Sequence, residues 1–257
     1  MKTNLQDITF LILVRLDSIE RLENTIVVAN DFVKHFDTNV YVLEVAGYCN
    51  RVLQQILNKK IKYHFVEDKD PVLHKTLYYN RMVKEIDTPF FAIWDTDVVV
   101  DKNAIISVVE RLRNGEAEMA LPYNGTCLDT AEIIRELYLK KKNIKTLYRH
   151  RDKMERLHSR PLVGGAVFLN KEKFSEIGMD NEKHYGWGND DFDRFHRAQN
   201  YGLKIYKTDN CLFHLWHPRN ANSIFRSEAQ RCISTDEVRK MSSSSKEDIV
   251  KMKELEL

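Results

Sequence analysis

No stretch of this 257-residue chain approaches the roughly 18 to 20 consecutive apolar residues needed to span a bilayer. The apolar segment 8–14 is too short and too late for a signal peptide, and Asp7 precedes it, so it reads as a first strand. Cysteine is sparse: Cys49, Cys127, Cys211 and Cys232 lie too far apart for a metal knuckle, which predicts a reduced, intracellular protein. Excess charge is also missing. The 40 basic residues against 38 acidic ones leave +2, and this excludes nothing but gives no reason to expect a nucleic-acid partner. The turn after the first strand, residues 13–18, has no glycine, and neither a P-loop nor a dinucleotide glycine fingerprint occurs anywhere. No internal repeat is visible.

What is present is alternation. Apolar runs at 8–14, 40–45, 61–66 and 90–100 read as strands. Between them lie helical patterns: one through Ile19, Leu22, Ile26, Ala29, Val33 and Phe36, a short one at 51–58 and another at 73–86. Asp17 with Glu20 resembles a capping box for the first. A helix at 102–113 and a strand at 118–122 follow. This order predicts an α/β fold with a mixed, mainly parallel central sheet flanked by helices in one domain, its ligands outside the carboxyl ends of the strands. Residues 1–122 form a first half, 123–160 a charged helical insertion, and 161–220 a second half with strands at 163–170, 204–207 and 211–216. Residues 221–257 are a polar tail, either a surface helix or partly disordered.

Three passages carry chemistry. Asp95-Thr96-Asp97 ends the fourth strand, and on an extended segment the two carboxylates share a face. Such a pair suits Mg2+ or Mn2+, and the alternative is a pair of turn or capping aspartates. Gly186-Trp187-Gly188-Asn189-Asp190-Asp191-Phe192-Asp193 places a mobile, ring-bearing loop before acidic residues at a helix start. The helix dipole accounts for one or two of those aspartates, but not for the preceding Gly-Trp-Gly. An aromatic face with carboxylates beside it is a sugar-binding combination. His214-Leu215-Trp216-His217 follows a strand and offers a metal ligand, or two histidines packed with Trp216.

Taken in order, an alternating half ending in Asp-x-Asp, Gly164-Gly165 opening a strand, Gly-Trp-Gly-x-Asp-Asp and then a histidine resemble GT-A fold glycosyltransferases. The similarity is greatest to the β-1,4-galactosyltransferase type, whose passage reads Gly-Trp-Gly-Gly-Glu-Asp-Asp-Asp. This chain departs from it at Asn189, Asp190 and Phe192. The resemblance implies a Rossmann-like GT-A fold and an inverting, Mn2+- or Mg2+-dependent transferase. It would move a hexose or N-acetylhexosamine from a UDP-sugar to a glycan or lipid-linked acceptor. Asp97 and His214 or His217, with His214 nearer the strand, would hold metal. Arg15, Asp17, Glu44, Asp68 and Asp95 would meet the nucleotide, and Gly164 and Gly165 would admit the donor sugar. Trp187 would close over both substrates, Asp190 would hold the acceptor and Asp191 would be the base. The expected setting is cytoplasmic, at the inner face of a bacterial membrane, with the basic residues 140–142 and 149–160 available to a lipid-linked acceptor. Two alternatives stand beside it: a metal-dependent nucleotidyltransferase, disfavoured by the missing glycine loop, and a non-catalytic nucleotide-sugar-binding protein on the same fold.

Overall fold

A computed structural model of the protein describes residues 2–256. In chain order its elements are β1 (Thr3–Val14), α1 (Ile19–His35), β2 (Phe36–Ala46), α2 (Val52–Ile56), β3 (Lys62–Glu67) and α3 (Lys75–Lys84). Then come β4 (Phe90–Trp94), β5 (Val98–Val99), α4 (Lys102–Arg113), β6 (Met119–Leu121), β7 (Cys127–Asp129), α5 (Ala131–Lys141) and α6 (Ile144–Arg149). The chain continues with β8 (Glu155–Arg156), β9 (Ala166–Asn170), α7 (Lys171–Glu176), α8 (Asp190–Tyr201), β10 (Ile205–Lys207) and β11 (Leu212–His214). It closes with α9 (Glu228–Ser243) and α10 (Lys246–Glu256).

Seven strands form the central sheet in the order β10-β6-β9-β4-β1-β2-β3. All run parallel except β9, which is antiparallel to both β4 and β6. This is the mixed, mainly parallel sheet the alternation predicts. Its central strands are apolar on both faces, because helices cover both, so residues 8–14 are continuously buried. Phe10 stacks on Phe32 of α1 at 3.9 Å between ring centroids, and Trp94 and Phe168 stand edge-on to Phe10, each at 5.7 Å. These four rings join β1, α1, β4 and β9 directly beneath the carboxyl end of β4.

A second sheet, β5-β11-β7-β8, is not expected from the sequence as a separate sheet: β11 falls in the strand read at 211–216 and β5 in the run 90–100, while β7 and β8 have no counterpart in the sequence reading. Its strands have only two or three residues, too few for an alternation to register. The fourth run also differs from expectation. Strand β4 stops at Trp94, and Asp95 to Asp97 form a turn before β5, so the two carboxylates do not share the face of one extended strand. The capping residue of α1 is Ser18, whose hydroxyl accepts from the Arg21 amide at 3.1 Å, while Asp17 pairs with the Arg21 side chain. Residues 129–154 are largely helical, and Ile134, Tyr138 and Leu147 are buried. The tail is two helices. Met241 and Ser234 of α9 are buried, as is Ile249 of α10. Among the described residues no helix is long and apolar enough to cross a membrane.

Replacing Phe10 with alanine removes the ring shared by three aromatic neighbours. It should lower unfolding stability by about 3–5 kcal/mol in urea denaturation.

Candidate active site

The second sheet sets three side chains in a row. In register, Val98 of β5 lies opposite His214 of β11, and His214 lies beside Asp129 of β7. The turn before β5 is tied on every side. The Trp94 indole N–H donates to the Val98 carbonyl at 3.0 Å, the Asp95 amide donates to Gly165 O at 2.9 Å, and the Leu215 amide donates to Asp97 O at 2.7 Å. Asn24 of α1 holds the following segment through the Leu215 carbonyl at 3.0 Å and is itself held by buried Arg135 at 2.9 Å.

Asp97 therefore meets two imidazoles. His217 Nε2 is 3.2 Å from its Oδ2, and His214 Nε2 is 3.7 Å from its Oδ1. The other nitrogen of each ring has an acceptor: Asp129 Oδ1 lies 3.1 Å from His214 Nδ1, and the Pro218 carbonyl lies 2.8 Å from His217 Nδ1. Those acceptors at Nδ1 orient both rings with Nε2 toward Asp97, the usual outer-shell arrangement of metal-ligating histidines. All three residues are buried, with ligand atoms within 4.8 Å of one another. Burial alone would raise the pKa of Asp97. His214, His217 and Arg21 outweigh it and hold the carboxyl well below the ordinary range.

Asp97, His214 and His217 line a cavity of about 320 Å³, together with Arg15, Asp95, Gly165, Trp187, Asp190 and Asp191. Asp17 is one layer back, binding Arg21 and Asn222, both of which line the cavity. Gly164 lies behind Asp191. A β-carbon there would sit 2.0 Å from Asp191 Oδ2, so the missing side chain makes room for this protein's own carboxylate. Glu44 and Asp68 do not reach the cavity. Glu44 accepts the Tyr63 hydroxyl at 2.7 Å, and Asp68 accepts that of Tyr78 at 2.8 Å and lies 3.8 Å from Arg15. Arg15 is buried, and its Nε donates to the Val45 carbonyl at 2.9 Å.

Two compensating cations escaped the sequence reading. Lys75, at the start of α3, places Nζ 3.2 Å from Asp190 Oδ2. Burial would lower its pKa, but Asp190, Asp95 and Asp191 together hold it well above the ordinary lysine value. Asp190 Oδ2 is fully buried and, apart from the Lys75 ion pair, has no hydrogen bond of good geometry. Arg194 grips Asp180 with Nε and Nη2, both at 2.7 Å, and Asp191 Oδ1 with Nη1 at 2.7 Å. Both had a faint signal. Lys75 falls on the buried stripe of Tyr79 and Met82, and Arg194 stands three residues after Asp191. Asp129 had none, because its role depends on strand pairing.

The loop carrying Trp187 rests on the segment leading to α9. Gly188 has φ +101°, and a β-carbon there would meet the Phe225 ring at 2.9 Å, so glycine is needed on both counts. Trp187 and Phe225 pack edge-on at 6.1 Å. Beneath the loop, His184 bridges Ser234 of α9 at 2.7 Å and Asp193 of α8 at 3.0 Å.

A mixed sheet with a metal-type cluster at the end of β4 and an acidic helix start across one cavity defines a GT-A glycosyltransferase fold of galactosyltransferase-like type. A family model described as the N-terminal domain of galactosyltransferase matches residues 146–219, a span that contains the Gly-Trp-Gly passage and both site histidines. Among solved structures, the catalytic domain of Drosophila beta1,4galactosyltransferase 7, in complex with xylobiose, superposes with a TM-score of 0.52 at 13% identity. The match covers 95% of this chain and 83% of that one, and at such low identity it establishes the fold alone. A comparison with curated protein sequences finds no match.

Asp95 supplies a pH test. Burial first, then Asp97, Asp191 and Asp190, push its pKa up to about 6 against the opposing pull of Lys75. A carboxyl raised on folding is neutral in both states below the unfolded value, and it costs stability as pH rises through the folded one. In chelator-treated protein, Asp95→Asn should therefore gain about 1–2 kcal/mol at pH 8 and nothing near pH 4, as read by urea denaturation.

Proposed function

We propose that this protein is a metal-dependent inverting glycosyltransferase that moves a hexose or N-acetylhexosamine from a UDP-sugar to a hydroxyl of a glycan or lipid-linked acceptor. The observation that carries this reading is the meeting of Asp97, His214, His217 and Asp191 around one cavity, although 94 to 120 residues separate Asp97 from the other three in sequence.

Asp97, His214 and His217 are the residues that would hold the cation. Two imidazoles beside one carboxylate suit a transition-metal ion such as Mn2+ better than Mg2+, which takes oxygen ligands. When bound, the cation neutralises charge growing on the departing diphosphate. Asp191 takes the proton of the acceptor hydroxyl as the new carbon–oxygen bond forms on the sugar face opposite the breaking bond. Arg194 fixes one oxygen of Asp191 at 2.7 Å and leaves the other, beside Gly164, for that proton. Lys75 lies 3.2 Å from Asp190 Oδ2, and Asp190 holds an acceptor hydroxyl. Asp95 meets the ribose or reaches the cation through water. Trp187 covers donor and acceptor, excluding water that would otherwise hydrolyse the donor. The setting this reading favours is the inner face of a bacterial membrane, with a lipid-linked acceptor meeting the basic residues 140–142 and 149–160.

UDP with Mn2+ should raise the melting temperature of the protein, and Asp97→Ala should remove that shift. A wild-type protein indifferent to UDP and Mn2+ in thermal unfolding would refute the assignment. Asp191→Asn should retain UDP affinity and lose at least about 100-fold in transfer, consistent with loss of base catalysis. Gly164→Ala, which drives a methyl into the same carboxylate, should give the same kinetic pattern. Transfer rates near wild type in either variant would remove Asp191 from the base's role.

A further inference from the structure

The cavity is lined by four carboxylates, Asp95, Asp97, Asp190 and Asp191, and also by His158, Arg160 and Arg219. His158 and Arg160 sit in the strap between β8 and β9, which is tied at both ends. The Leu157 amide donates to Cys127 O at 3.0 Å, and the Leu162 amide donates to Gly125 O at 2.9 Å. Pro161 packs so tightly on Gly125 that a β-carbon there would lie 2.8 Å from the proline ring. The strap is thus anchored while its cations reach the cavity.

The Arg160 guanidinium lies over the Phe192 ring at 4.0 Å from its centroid. Arg15, Arg21 and Lys75, the other arginine and lysine side chains lining the cavity, stand beside Asp68, Asp97 and Asp190. Among the described residues, Arg160 and Arg219 pair with no carboxylate, and both are exposed residues that line the cavity from its solvent side. His158 senses the surplus: burial, then Arg219, His214 and Arg160, push its pKa below the ordinary histidine value. A group of cations with no ion-paired carboxylate of their own favours an anionic group brought by a ligand.

Two parts of the substrates are candidates, the donor diphosphate and the acceptor. Phe192 directly follows Asp191, so Arg160 stands beside the group assigned to the acceptor hydroxyl. The diphosphate belongs with Asp97 and the histidines.

Resting on the glycosyltransferase reading above, we propose that Arg160, with Arg219 and His158, forms a subsite for an anionic group, carboxylate or phosphate, on the acceptor. A guanidinium placed over an aromatic ring makes no hydrogen bond to it and keeps N–H groups free for two oxygens of one anion. The subsite selects what receives the sugar.

The test uses the full chain with UDP and Mn2+ present and three probes: methyl β-D-glucuronide, glucose 1-phosphate and neutral methyl β-D-glucoside. In ligand-observed NMR titrations, one anionic probe should bind about tenfold or more tightly than the neutral one. The preferred probe tells a uronic-acid acceptor from a phosphate-linked one. Arg160→Ala should erase the preference, with UDP affinity held within about twofold, and Arg160→Lys should restore part of it. Equal binding of all three probes, or a preference that survives Arg160→Ala, would overturn the subsite. A loss of UDP affinity in Arg160→Ala would assign these cations to the donor and overturn it too. Failure of the wild type to bind UDP with Mn2+ is a different result: it removes the glycosyltransferase reading, and the acceptor subsite with it.

Discussion

Four carboxylates around one small cavity repel one another, and the architecture of the site follows from how that repulsion is compensated. Water cannot do it, because Asp97 and Asp190 are buried. The protein instead distributes cations and protons. Lys75 lies against Asp190, Arg194 against Asp191, and Arg21 with two imidazoles against Asp97. Asp95 is left with the weakest compensation, and its carboxyl is the one pushed up toward neutrality. Removing one partner of such a buried set costs several kcal/mol, because it leaves an uncompensated buried charge. A divalent cation at Asp97 relieves the same repulsion.

The fold places each compensating group on a different element, and this makes the cavity a meeting point rather than a motif. The large sheet delivers the turn at the end of β4, and the four-ring aromatic cluster beneath that strand keeps its end from shifting. The small sheet brings His214 and Asp129 alongside. Helix α8 brings Asp191 and its clamp Arg194, and α3 brings Lys75. The C-terminal helices support the loop that would close the cavity, through the His184 bridge between Ser234 and Asp193.

How much of this the sequence revealed follows from interaction range. The strands of the large sheet were legible because continuous apolar runs between helical patterns are local signals. Asp97, Asp191 and the histidine pair were legible because each is chemically unusual where it stands. The second sheet was not, since two- and three-residue strands carry no period. Without that sheet nothing identified Asp129 as the support of His214. Glu44 and Asp68 close apolar runs as a ligand-binding acid would, yet both are taken up by tyrosine hydroxyls, a pairing across 19 and 10 residues that no spacing reveals. The strand reading of Asp95-Thr96-Asp97 failed for a related reason. The Trp94 indole, bonding to the Val98 carbonyl, closes a turn inside what looks like one apolar run. The sequence left open which histidine belongs to the cluster, and the structure has both rings presenting Nε2 to the same carboxylate.

The central claim is that one carboxylate and two imidazoles form a single cation site at the diphosphate end of this cavity. Pulsed electron paramagnetic resonance of the protein with Mn2+ and UDP tests it directly. Nitrogen couplings from two imidazoles, together with phosphorus coupling from the nucleotide on the same ion, are the predicted result. Bound Mn2+ that shows no imidazole nitrogen would contradict it.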